Sequence, residues 1–320
     1  MPRSRSFVVG GLLSTLIALQ STLAASSHAA DGRKGVDAEV RVVATQAHLD
    51  LLALLAAHNA ALFGSFFIDP SASPDGVPSD SACPLDQVEV EGEYCPLLQQ
   101  TCLHWLDPTT KLQCAEFEHS EVAGRCLLTS QHKRFCIDRY EWPNKVGALP
   151  RFMASWNEAR SSCETIGKRL CSDTEWTLAC EGPDRLPYPY GSGFARDSNA
   201  CNIDKPYIWP HPEKVYDPRS SAEELARLDQ REASGSRTSC VSPYGVHDMV
   251  GNVDEWVLNE SQGEHPYKSG LKGGYWGPVR TRCRPMTTAH DESFRYYQIG
   301  FRCCGDARTL DLGEAPLATL

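Results

Sequence analysis

The side chains best equipped for chemistry in this chain are its cysteines, 14 of them, all lying between Cys83 and Cys304. A thiolate can attack a carbonyl, ligate a soft metal or be oxidised to a disulfide, and its surroundings decide which. No C-x-x-C pair occurs, and no spacing fits a zinc finger or ribbon, so structural zinc is not expected. An even count in a chain marked for export points instead to a disulfide framework. Among the ten histidines, His290 stands first, because His290-Asp291-Glu292 places three potential metal ligands in a row. The competing reading is a solvated loop. The sequence contains no P-loop, no G-x-G-x-x-G, no G-x-S-x-G and no H-E-x-x-H, which removes the nucleotide-binding, α/β-hydrolase and zincin classes.

These groups must be held by a scaffold with little regular structure. Gly and Pro punctuate the chain every few residues after Cys83, and no repeat or βαβ alternation is visible, so an α+β, loop-rich, disulfide-braced domain is expected over 83–306. Two helix starts are explicit. Ser155-x-x-Glu158 and Ser172-x-x-Glu175 are capping boxes, in which each side chain satisfies the other's orphan backbone N–H. Gly167 and Gly182 supply the matching stops. Tyr297 to Cys303 reads as a closing strand.

Upstream, residues 1–30 read as a signal peptide: Arg3 and Arg5, then an apolar run from Phe7 to Leu23, then small residues. The segment 31–68 contains an amphipathic helix over Asp37 to Phe63, 69–82 is a Pro/Ser/Gly/Asp linker, and 307–320 is a tail. A secreted or periplasmic destination follows. The formal charge is −10, and loss of Arg3 and Arg5 takes it to −12, which argues against nucleic acid or an anionic membrane as partner. No later segment is apolar enough over a sufficient length to span a bilayer.

Several runs occur together in a fixed order: Ser155-Trp156-Asn157-Glu158-Ala159, Gly167-Lys168-Arg169-Leu170, Thr174-Glu175-Trp176 and Tyr188-Pro189-Tyr190-Gly191. Tyr244 to Trp256 follows, then Lys272-Gly273-Gly274-Tyr275-Trp276 and Gly300-Phe301-Arg302-Cys303. In this order they resemble the formylglycine-generating (sulfatase-modifying factor) family over roughly Cys136 to Cys304, with Cys83 to Cys126 an extension of the same domain. The resemblance implies a C-type-lectin-like fold braced by disulfides and calcium. It implies a disulfide between Cys163 and Cys303. It also implies calcium held by Asp248, Gly251, Val253 and Glu255, where two carboxylates flank carbonyls in a turn, as a hard cation requires. A second calcium near Asn202 and Ile203 is implied less fully, because an insertion from Asp204 to Ser239 hides its other ligands.

The pattern breaks where the family's oxidases hold copper(I) between two thiolates. Here those positions are Pro278 and Cys283, and the motif's serine is Tyr275. Proline offers no ligand, so the two-thiolate copper site is not expected. Cys283 is then either a free thiol, the one catalytic candidate, completing an altered site with His290, or a disulfide partner, with Cys304 the first candidate. Cys303 and Cys304 are expected to have separate partners, since a vicinal ring is strained. The leading expectation is an exported binding or accessory module with a peptide, protein or glycan ligand. The alternative is an active metal-dependent oxidase acting on a cysteine-containing peptide or a secreted metabolite. A third is an envelope protein assembled through the Asp37 to Phe63 helix.

Overall fold

The computed structural model describes residues 81–119, 125–261 and 266–309. The signal peptide, the helix over Asp37 to Phe63, all but the last two residues of the linker, and the tail beyond residue 309 lie outside the described residues.

Three antiparallel-dominated sheets carry the domain. The first is ordered β1 (Gln87–Tyr94), β4 (Gln131–Asp138), β10 (Cys303–Asp306) and β5 (Arg169–Leu170). A small sheet pairs β2 (Cys102–Trp105) with β3 (Cys114–Phe117). The third runs β8 (Met286–Thr287), β7 (Ser269–Lys272), β6 (Asp254–Leu258) and β9 (Ile299–Phe301), with β6 and β9 parallel. The expected closing strand is therefore two strands: Arg302 turns the chain from one sheet into the other, and Arg302 is wholly buried.

Both capping boxes form. Helix α1 (Trp156–Thr165) opens on Ser155, whose side chain accepts from Glu158 N while Glu158 returns the bond to Ser155 N. Helix α2 (Asp173–Glu181) does the same with Ser172 and Glu175, and Gly182 ends it at φ +68°. All nine residues of α2 are buried, so this helix is the central post of the domain rather than a surface helix. Trp176 and Leu178 join Val90, Phe135 and Ile137 in the principal core cluster, while Trp156, Trp256, Leu271 and Phe301 form a second. The Asp204 to Ser239 insertion contains two short helices, α3 (Pro212–Val215) and α4 (Ser221–Leu228).

All fourteen cysteines are paired, and none is free among the described residues. The pairs are Cys83–Cys136, Cys95–Cys126, Cys102–Cys114, Cys163–Cys303, Cys171–Cys304, Cys180–Cys283 and Cys201–Cys240. Neighbouring residues on a strand point to opposite faces. Cys303 on β10 accordingly meets Cys163 of α1, while Cys304 meets Cys171 at the start of the α2 turn. Cys283 is thus not the partner of Cys304, which is taken by Cys171. It is drawn instead to the C-terminal end of α2, where Cys180 bonds it and Pro187 O accepts from its N–H at 3.0 Å.

Candidate functional site

The Gly273-Gly274 turn that follows β7 leads the chain into Tyr275, which lines one cleft of the domain. Both glycines have positive φ, +87° and +71°, and a Cβ on Gly273 would lie 2.7 Å from Met249 O, so the turn admits only glycine. Beyond it the chain doubles back through Pro278 and Arg280 and encloses a cavity of about 370 Å³. Its walls include Tyr275, Phe294, Tyr296, Leu271 and Ile299, and its polar groups are Asp254, Arg280, His290 and Gln298. Arg280 Nη2 meets Asp254 Oδ2 at 3.0 Å, its Nε donates to Thr287 Oγ1 at 2.8 Å, and Gly274 N donates to Asp254 Oδ1 at 3.2 Å. Burial pushes the Asp254 carboxyl above its ordinary range, partly offset by Arg280, and burial lowers His290. The His290 ring stacks on Phe294 with centroids 3.9 Å apart. Gln298 Oε1 is enclosed without a hydrogen-bond partner.

The three consecutive potential ligands beside this cavity do not converge. Asp291 Oδ1 accepts from Ser293 N at 2.8 Å and Phe294 N at 3.1 Å, which makes it a turn cap, and Glu292 Oε1 accepts from Lys268 N at 2.6 Å. An altered metal site joining His290 to Cys283 is overturned, because Cys283 is bonded to Cys180 in the core and has no thiolate to offer.

A second cluster lies under the loop before β6. Asp248, Gly251 and Asn252 all take positive φ there. Asp248 Oδ2 accepts from Gly235 N at 2.7 Å. Glu255 is clamped by Arg302 through Nη2 at 2.6 Å and Nε at 2.7 Å, and also accepts from Trp176 Nε1 at 2.8 Å. A third carboxylate completes the group: Glu141 accepts from Asn252 Nδ2 at 2.7 Å, Ser234 Oγ at 3.0 Å and Val253 N at 3.2 Å. Glu141, Asp248 and Glu255 are all buried, and of the three Glu255 pairs with Arg302, whose charge also acts on the other two. Burial first, and then the neighbouring carboxylates, push Glu141 well above its ordinary range, and burial raises Asp248 to about 6. Asn202 is stitched to the same loop: its Nδ2 donates to Asn252 Oδ1 at 3.0 Å and its carbonyl accepts from Asn252 N at 2.9 Å. Ile203 packs there too, with Cγ2 2.5 Å from where a Gly251 Cβ would be. The two stretches separated in sequence are therefore one region of the fold, and Asn202 Oδ1 is buried there without a partner.

Comparison with known proteins fits this architecture. The sulfatase-modifying factor enzyme 1-like domain pattern matches residues 99–307, well over half of the chain. The chain belongs to that family. Its relatives include the inactive C-alpha-formylglycine-generating enzyme 2 of Bos taurus, 28% identical over 166 residues, covering 50% of this chain and 51% of the relative. The formylglycine-generating enzyme of Thermomonospora curvata is 26% identical over 164 residues, covering 48% of this chain and 50% of that one. The chain spans about half the length of the curated relatives it matches. Among solved structures, CarF aligns at 13% identity and TM-score 0.42 over 70% of this chain and 99% of CarF. PvdO from Pseudomonas aeruginosa aligns at 16% identity and TM-score 0.43 over 69% of this chain and 94% of that one.

Pro278 and Cys283, the two positions that the resemblance sets against the oxidases' copper thiolates, occupy unlike places. Pro278 is exposed, with its carbonyl accepting from Gln113 Nε2 at 2.7 Å. Cys283 is fully buried and oxidised. No group of three Asp, Glu, His or Cys side chains among the described residues converges as a metal cluster. Glu141, Asp254 and Arg280 escaped the sequence reading. The signal that could have found Glu141 is faint: an acidic residue inside the otherwise aromatic run Tyr140-Glu141-Trp142.

Proposed function

We propose that this chain is an exported sulfatase-modifying-factor-like domain that has lost copper oxidase chemistry and acts as a binding or accessory module, using the cavity bounded by Tyr275, Arg280 and Tyr296. One observation carries the reading. Proline stands where the first thiolate ligand would be, and the second is tied to Cys180, so two-thiolate copper(I) coordination has no ligands at this place. A relative whose printed name is inactive supports it, and family membership alone does not license an activity. Seven disulfides and the Arg3 to Leu23 pattern support export into an oxidising compartment, and no helix among the described residues is long and apolar enough to cross a membrane.

Calcium is the metal this reading assigns, held by Asp248, the Gly251 and Val253 carbonyls and Glu255, with Asn202 and Ile203 beside them. Supporting it are the buried carboxylates of Asp248 and Glu255 near the single guanidinium of Arg302, with the carbonyls of the loop needed to complete the oxygen set. Its role is bracing, since it would tie the loop before β6 to the insertion. Glu141 holds that loop from behind through Asn252 and Val253.

The test is to purify the mature protein, add copper(I) and a cysteine-containing peptide, and follow oxygen uptake and peptide aldehyde together. The expected result is neither oxygen consumption nor aldehyde. Turnover above a copper-only blank would restore the oxidase reading.

A further inference from the structure

The cavity described above is ringed by aromatic faces, and the ring system continues outside it. Tyr296 lies 4.8 Å from Tyr297 and 6.4 Å from Tyr216, whose hydroxyl donates to Arg295 O at 2.8 Å and so fixes the ring. On the same insertion Tyr207 and Trp209 pack edge to face at 5.1 Å, and Trp209 is 76% exposed. An exposed indole and two half-exposed phenols on one short insertion are costly to leave in water unless something stacks on them.

The polar groups of the cavity set the class of ligand. Arg280 and Asp254 are paired with each other at 3.0 Å, so neither stands as an unmatched charge for an ionic ligand. The pair instead presents a donor and an acceptor side by side, which suits adjacent hydroxyls. A peptide is disfavoured by the sheet edges. β8 has only two residues, and the carbonyls of Ile299 and Phe301 on β9 already accept from Ala154 N at 3.2 Å and Trp142 N at 2.8 Å. Little main chain is left for an incoming strand to pair with.

We propose that the cavity seats the terminal sugar of an uncharged oligosaccharide, with the following sugars stacked on Tyr216, Tyr207 and Trp209. This rests on the binding-module reading and narrows it to a ligand class. Sugars present apolar faces to rings and hydroxyls to Arg280 and Asp254, and the ligand needs no charge of its own.

The experiment titrates the intact, disulfide-bonded protein with cellohexaose, chitohexaose and maltohexaose and with their disaccharides, reading heat and tryptophan fluorescence. Tyr296→Ala and Trp209→Ala are titrated alongside, with melting curves to show that both remain folded. At least one hexasaccharide is expected to bind, with Tyr296→Ala weakening hexasaccharide and disaccharide alike by about tenfold. Trp209→Ala is expected to weaken the hexasaccharide and leave the disaccharide unchanged. Absence of binding by every saccharide overturns the inference, as does binding that neither variant alters. If a cysteine-containing peptide binds with loss on Tyr296→Ala while no sugar does, the glycan inference falls and the binding-module reading stands.

Discussion

Lys272 sits on β7 with its ammonium end inside the protein, donating to Thr177 Oγ1 at 2.7 Å and to Arg284 O at 2.9 Å, over the Trp176 ring. Burial lowers it from 10.5 to about 7. The unfolded chain keeps the proton up to about 10.5, so between about pH 7 and 10.5 the unfolded state binds more protons and this group makes stability rise with pH. Lys272→Met is expected to remove that contribution, at about 1.4 kcal/mol per pH unit, from the slope of unfolding free energy measured by urea titration between pH 7 and 10. A wild-type and variant pair with equal slopes would show that Lys272 stays charged in the fold. At the loop proposed to hold calcium, Asp248→Asn removes a carboxylate without changing shape. The wild-type melting temperature is expected to fall on adding EDTA and recover with calcium, by the equivalent of about 2.7 kcal/mol at a hundredfold excess over Kd. The variant is expected to show no such response.

Helix α2 joins more of the structure than its nine residues suggest. Its N-terminus is capped by Ser172, its interior supplies Trp176 to Glu255, and its C-terminal turn holds Cys283 through Cys180. Ser172→Ala leaves the N–H of Glu175 without its acceptor inside the protein and is expected to cost about 1 kcal/mol in denaturant unfolding. Replacing both Cys180 and Cys283 by Ala is expected to cost about 2–4 kcal/mol, because the bridge spans 103 residues of sequence. Pro278→Cys places a thiol at the first copper position, yet Cys283 stays bonded to α2. The purified variant is expected to hold no tightly bound copper after dialysis, and stoichiometric copper would mean that the Cys180 bridge yields to the metal.

Over the whole molecule, cross-linking takes the place of extended regular structure. Three bridges, Cys163–Cys303, Cys171–Cys304 and Cys180–Cys283, close loops of 140, 133 and 103 residues and tie both capped helices to the C-terminal third. Alkylation under denaturing, non-reducing conditions is expected to add no label to any of the 14 cysteines, and all 14 are expected to label after reduction. Label on Cys283 alone would reopen its role as a thiol.

Much of this protein was decided locally and was therefore legible in sequence. Helix starts at Ser155 and Ser172 depend on residues three apart, and the glycine stops depend on one residue's backbone freedom. Family motifs such as Gly273-Gly274 are likewise short runs under strict backbone demands. The absence of a thiol at position 278 needed only the identity of Pro278. What tertiary structure alone decided concerns residues far apart in the chain. Cys283 found Cys180 across 103 residues, a choice that an even cysteine count leaves open among many pairings. Glu141 reached Asn252 across 111 residues, Asp254 met Arg280 across a reversed turn, and Asn202 joined the loop it had seemed remote from. Such neighbours are set by how sheets and insertion pack, and packing acts between surfaces that a linear pattern does not bring together.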